Sequence, residues 1–300
     1  MRTMWDLNTA PQVFKNLKTL NISGSSNLVS TPDFSGSPSL ESLNLQCCTS
    51  LEEVHISIGR LPSLVYVDLG YCTTLKSLPD SICGLRKLEV LTISGCSSLK
   101  VLPKNLGNIE SLKVLDAWRL RVSELPYSIC CLGNLVELRL GGNKNLEILT
   151  NSICKLRSLE ILDIYHCNKL KELPDQLGKI TSLRMLDARK ATMLKILPDI
   201  SQLTNVENLD ISYCRNLLSI VKLPPNLITI KAVRCWSIRR LPILSDLKRL
   251  EILDLTNSSG LTELIGLEEL TSLQVLILTG CNFSLLEYAS AKRFLQVFLI

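Results

Sequence analysis

Histidine is almost missing from this chain: 300 residues hold two. That scarcity removes the usual metal ligands and general bases, and no H-E-x-x-H pair occurs. No glycine-rich G-x-x-x-x-G-K phosphate loop occurs either. No Cys-x-x-Cys is present, so zinc and thioredoxin-like readings lose their main support. His55 takes a loop position that proline fills in other parts of the chain. His166 is beside Cys167, but neighbours on a strand point to opposite faces, so the two cannot form a nucleophile pair. Glu52-Glu53 and Glu268-Glu269 read as exposed loop charges, not as acid/base pairs. The sequence therefore predicts no enzyme, no catalytic residue, no cofactor and no metal.

One-signed charge is also lacking. The formal net charge is +5, and no Lys/Arg run is interleaved with aromatics, so nucleic acid is not an expected partner. No apolar run is long enough for a membrane span; Phe294 to Ile300 is far too short. Residues 1–16 include Arg2, Asp6 and Asn8 and predict no signal peptide. The sequons at Asn21, Asn257 and Asn282 are read as coincidental.

What the chain does contain is one pattern, repeated twelve times. Its clearest copy is Leu64-x-x-Val67-x-Leu69-x-x-Cys72-x-x-Leu75-x-x-Leu78-Pro79. Copies begin at Leu17, Leu40, Leu64, Leu88, Leu112, Leu135, Leu159, Leu183, Val206, Leu227, Leu250 and Leu273, in steps of 23 or 24 residues with one of 21. This is the leucine-rich-repeat signature with Cys where Asn is common. It predicts an α/β solenoid: a right-handed, single-domain leucine-rich-repeat horseshoe with a parallel concave sheet. Positions are numbered below from the first residue of each copy.

Positions four and six alternate with polar residues, the period of a short strand with one buried face. Strands are expected near residues 18–22, 42–46, 66–70 and 90–94, and onward at the same phase. Twelve strands at about 4.8 Å each predict an arc of roughly 55 Å. After each Leu-Pro an i, i+3, i+6 rhythm follows, as in Ile82/Leu85/Leu88 and Leu177/Ile180/Leu183. That spacing suits short helical or 3₁₀ turns on the convex side, with proline resetting the backbone. The link carrying Pro224-Pro225 lacks the triplet and should be extended. Leu120 and Ala191 replace the ladder cysteine, and Val54-His55 replaces Leu-Pro; these predict local irregularities.

Seven of the twelve cysteines (Cys48, Cys72, Cys96, Cys167, Cys214, Cys235 and Cys281) fall at position nine. Stacked repeats should place them in an inward row for packing and weak hydrogen bonding. Reduced thiols in that number fit a reducing compartment. Outside the ladder, Cys47 is expected to be the most exposed. The boundaries read as 1–16 for an N-terminal cap or remnant linker, 17–281 for the solenoid, and 282–300 for a tail or interrupted repeat. Trp5 and Phe14 are candidate lids, and the apolar segment from Phe283 to Ile300 is expected to be a poor cap.

Positions three, five, seven and eight should face outward. Position five is an aspartate row: Asp68, Asp116, Asp163, Asp187, Asp210 and Asp254. Its simplest reading is a solvated strand face. The middle copies add aromatic and basic residues: Trp118, Arg119, Arg139, Tyr165, His166, Arg189, Lys190, Tyr213 and Arg234. Such residue types are enriched at binding hot spots, and these are expected to form one contiguous protein-binding surface on the concave face. An ordinary solvated face is the competing reading.

Several phrases resemble the repeat region of plant TIR-type nucleotide-binding leucine-rich-repeat disease-resistance proteins. They include Ser26-Asn27-Leu28, Thr31-Pro32-Asp33-Phe34-Ser35, Cys48-Thr49-Ser50-Leu51-Glu52 and Ser94-Gly95-Cys96-Ser97-Ser98-Leu99-Lys100. Leu223-Pro224-Pro225-Asn226-Leu227 and Gly266-Leu267-Glu268 follow in the same order. The resemblance implies recognition of a pathogen effector or a guarded host protein. It also implies autoinhibitory contact with the nucleotide-binding module of a parent receptor, and a cytoplasmic or nucleo-cytoplasmic location. No TIR or nucleotide-binding domain is expected before Leu17, and no β-sandwich after Ile300, so ATP or NAD chemistry is not expected of these residues. Competing readings are a substrate-recruiting adaptor of a ubiquitin ligase and a general intracellular leucine-rich-repeat scaffold.

Overall fold

A computed structural model describes residues 14–282. They group into two compact units. One runs to Lys144 and includes Lys155–Leu159; the other comprises Asn145–Cys154 and the chain from Glu160. The expectations for Trp5 and for Phe283 to Ile300 lie outside the described residues. Phe14, the other candidate lid, is part-exposed, at 42%.

In the first unit, six three-residue strands stack in parallel and in chain order: Thr19–Asn21, Ser42–Asn44, Tyr66–Asp68, Val90–Thr92, Val114–Asp116 and Glu137–Arg139. Position four is in register throughout, pairing Leu20, Leu43, Val67, Leu91, Leu115 and Leu138. The second unit repeats the arrangement with Ile161–Asp163, Met185–Asp187, Asn208–Asp210, Thr229–Lys231, Ile252–Asp254 and Val275–Ile277. Ladder bonding outlasts the regular strands by two steps. The position-six N–H donates to the next copy's position five, as Leu45 does to Asp68 at 2.8 Å. The position-eight N–H donates to position seven, as Tyr71 does to Ser94 at 2.6 Å.

The core is built from the residues the period assigned to it. Leu64, Val67, Leu69, Cys72 and Leu75 are fully buried in one copy, and Leu159, Leu162, Ile164, Cys167 and Leu170 in another. The position-nine thiols donate backward to the preceding copy's position-six carbonyl. Cys72 reaches Leu45 at 3.2 Å, Cys96 reaches Leu69 at 3.0 Å, and Cys214 reaches Ala188 at 3.1 Å. Asn143 makes the same bond to Ala117 at 2.8 Å, and Ser258 makes it to Ala232. Position nine thus holds a small buried donor in these copies, and Cys, Asn and Ser each make the same backward bond. Leu120 and Ala191 carry no donor but remain buried, so these departures cost hydrogen bonds and leave the packing continuous.

Behind the strands, 3₁₀ segments occupy the triplet positions, among them Asp80–Gly84, Leu106–Asn108, Tyr127–Cys131 and Leu177–Lys179. Pro79 and Pro126 stand just before two of them in extended backbone, and their carbonyls accept the first i+3 bonds from Ile82 and Ile129. Where Val54-His55 replaces Leu-Pro, His55 caps the segment Ile56–Arg60, its ring Nδ1 accepting the Ser57 N–H at 3.3 Å. The Pro224-Pro225 link is extended as its composition requires. Ser219–Lys222 pairs in parallel with Ile196–Asp199, outside the main sheet.

Candidate protein-recognition surface

Two local devices shape the face opposite the core. The first is at position five. The side chains of Asp68, Asp116, Asp163, Asp187, Asp210 and Asp254 each accept the backbone N–H two residues on. Asn21 and Asn44 do the same at 3.0 and 2.9 Å. The row is thus a series of Asx turns that bend the chain out of the strand. This refines the solvated-face reading, because Asp68 and Asp187 are buried in spite of their charge. Burial also pushes the Asp116 carboxyl above its usual range, against the lowering effect of the Trp118 N–H and Arg139.

The second device is at position eight, which has positive φ in every copy. Glycine supplies it at Gly24, Gly95, Gly142 and Gly280, with φ of 71–73°. Elsewhere Cys47, Tyr71, Arg119, His166, Lys190, Tyr213, Arg234 and Asn257 adopt φ of 53–66°. For a residue with a Cβ this left-handed conformation costs about 1–2 kcal/mol, with Asn the cheapest exception. The sequence reading named five of these residues, Arg119, His166, Lys190, Tyr213 and Arg234, for their chemistry and missed their shared backbone state. The recurrent Gly at 24, 95, 142 and 280 is the signal that marks it.

The sequence-assigned residues gather into local clusters. In the first unit, the Arg119 guanidinium carbon lies 4.1 Å from the Trp118 ring centroid. Arg139 is held by Glu137 at 2.6 Å. In the second unit, Arg189 is 5.3 Å and Lys190 5.2 Å from the Tyr165 ring. Lys190 also donates to the Tyr165 hydroxyl at 2.8 Å and lies 5.7 Å from Tyr213, whose ring is 5.7 Å from Arg234. The His166 ring is 5.7 Å from Tyr165. Asp187 grips Arg189 through two bonds of 2.9 and 2.6 Å, which raises the already high guanidinium pKa. Sequence reasoning missed Trp236, which is exposed and 4.7 Å from Arg215.

Among the described residues, no group of three or more His, Cys, Asp or Glu is placed to hold a metal. No helix there is long and apolar enough to cross a membrane. A shallow depression in the second unit is lined by Glu147, Ile148, Thr150, Lys171, Glu172 and Asp175.

Comparison with known proteins agrees with this architecture. A family model described as "Leucine-rich repeat region" matches residues 95–242. A stretch of 59 residues is 42% identical to TMV resistance protein N of Nicotiana glutinosa, covering 20% of this chain and 5% of that protein. The solved leucine-rich repeat domain of the type III effector XopL is similar at a TM-score of 0.63 and 28% identity, over 71% of this chain and 75% of that one. A leucine-rich-repeat protein of Leptospira interrogans matches at 0.60 and 27%, over 89% and 74%. The functional domain of InlJ from Listeria monocytogenes, described as including a cysteine ladder, shares the fold at 0.52 and 16%, over 89% and 59%. The described residues share the leucine-rich-repeat fold, parallel strands backed by short 3₁₀ turns, and are related broadly to plant and other leucine-rich-repeat proteins, a fold typical of protein-interaction modules.

Proposed function

We propose that the chain is a protein-recognition scaffold whose binding residues stand at positions seven and eight. One observation carries the reading: bulky aromatic and basic residues occupy left-handed sites that Gly or Asn would fill at lower cost. Strain retained at exposed aromatic and basic side chains points to function. Placing a photo-crosslinking amino acid at Tyr165 or Tyr213 should yield protein adducts, and placing it at Val101, exposed outside the sheet, should not. Adducts from Val101 alone would move the site to the other side.

The stretch resembling TMV resistance protein N supports a narrower second reading. In it the scaffold serves plant intracellular immunity and binds a pathogen effector, a guarded host protein or the nucleotide-binding module of a parent receptor. The protein would then be cytoplasmic or nucleo-cytoplasmic. Co-purification with such a module expressed in trans, lost in a Trp118→Ala/Tyr165→Ala variant, is the expected result. A ubiquitin-ligase adaptor role predicts co-purification with ligase subunits instead.

A further inference from the structure

Within the second unit the charges divide by strand end. Near the strand starts, the position-two carboxylates Glu160 and Glu207 pair with Arg184 at 3.3 Å and Arg249 at 3.4 Å. Mid-strand, Asp187 and Asp210 are engaged in their Asx turns. Past the strand ends the balance reverses. Lys190, Arg215 and Arg234 lie within ion-pair distance of no carboxylate among the described residues, whereas Arg189 pairs with Asp187 and Lys169 with Glu147. These three cations are not loose. Lys190 lies near both Tyr165 and Tyr213, Arg234 is 5.7 Å from the Tyr213 ring, and Arg215 lies over Trp236. Left-handed backbone at Lys190, Tyr213 and Arg234 fixes the direction in which each side chain leaves the turn.

We infer that this strand-end edge of the second unit receives an extended acidic segment of a partner polypeptide, with carboxylates on Lys190, Arg215 and Arg234 and aliphatic or aromatic groups on Tyr213 and Trp236. The inference rests on the protein-recognition reading and names the chemistry of the partner. Three points carry it. Unmatched cations held against aromatic faces lose little freedom on pairing, so their entropy is largely spent before binding. Ring faces beside them offer apolar area without a deep pocket. Lys190 and Arg234 stand two copies apart, roughly 10 Å at about 4.8 Å per strand, which is the reach of about three extended residues. A nucleic acid fits less well, because its continuous phosphates would also run along the aspartate row.

The test is selection of a random dodecamer peptide-display library on the full chain. Binding of the enriched peptide, fluorescein-labelled, is then measured by anisotropy with and without a twelve-residue oligothymidylate competitor. The expected result is enrichment of sequences with two or more Asp or Glu. Affinity should fall at least tenfold in Lys190→Asn/Arg234→Asn, since Asn keeps the left-handed backbone, and should be retained in Lys190→Arg/Arg234→Lys. Enriched peptides without acidic residues, or equal loss in Arg60→Asn on the 3₁₀ side, would overturn the inference and leave protein recognition standing. Tighter binding of the oligothymidylate would overturn it in favour of nucleic acid. Enrichment of no peptide at all would overturn both.

Discussion

At the residue scale, position eight joins backbone strain to side-chain packing. At two of its glycines, Gly95 and Gly142, a large side chain of the preceding copy leans over it. A Cβ on Gly95 would lie 2.7 Å from the Tyr71 ring, and one on Gly142 would lie 2.7 Å from Arg119 Cγ. Gly95→Ala therefore meets two penalties, a left-handed φ of 73° and displacement of Tyr71. A loss of about 1–3 kcal/mol is expected in urea unfolding. Cys47→Gly tests the converse: φ is 59° and the side chain is exposed. Relief of strain, less the extra freedom of glycine in the unfolded chain, should leave stability unchanged or higher by about 1 kcal/mol. A clear loss there would contradict the strain argument. Much of the residue pattern could be read from the linear chain. Period two placed Leu91 and Leu162 inside, and both are fully buried. The aspartate row could be listed but not explained, because an Asx turn depends on which backbone N–H the carboxylate faces. Cation–π contacts such as those of Lys190 with two tyrosines join residues 23 to 25 apart, so only the stacking of copies reveals them.

At the scale of the element, the strands of the main sheet are only three residues long, and each depends on its neighbours for hydrogen bonds. Truncating a position-four leucine should therefore be felt as in any packed core. Leu91→Ala or Leu162→Ala is expected to cost about 2–5 kcal/mol in chemical denaturation. The same change at Val101, which is largely exposed, should cost little. Triplet spacing and proline were enough to foresee the 3₁₀ segments, since i+3 bonding is written directly in the period. Pairing of Ser219–Lys222 with Ile196–Asp199 was foreseeable only as extended backbone. His55 shows how an element survives a lost signal: its ring caps the segment that Pro begins in other copies.

For the molecule as a whole, the buried thiols make stability depend on pH. Burial pushes Cys83 up to about 11 and Cys235 up to about 12. An unfolded thiol titrates near 8.5. The folded pKa is the higher one, so the native state binds more protons between these values and stability falls as pH rises. The contribution is intact below about pH 8.5 and is lost progressively toward pH 11–12, at about 1.4 kcal/mol per pH unit for each such thiol. Urea midpoints measured from pH 7 to pH 11 should decline across that window, and Cys83→Ala should flatten the slope by one thiol's share. A flat profile would show that the thiols ionise in the folded state.

The main-chain bonds that join one copy to the next recur at the same positions. Positions five to eight meet through main-chain N–H and carbonyl groups, and position nine asks only for a small donor. Neither depends on which particular neighbour is present. A tandem gene segment encoding 23 or 24 residues could thus be gained or lost by unequal crossing-over, and the flanking copies would find the same partners again. Such an event would rewrite the order of side chains at position eight and leave the buried scaffold untouched. The architecture lets recognition diversify by recombination as readily as by point mutation.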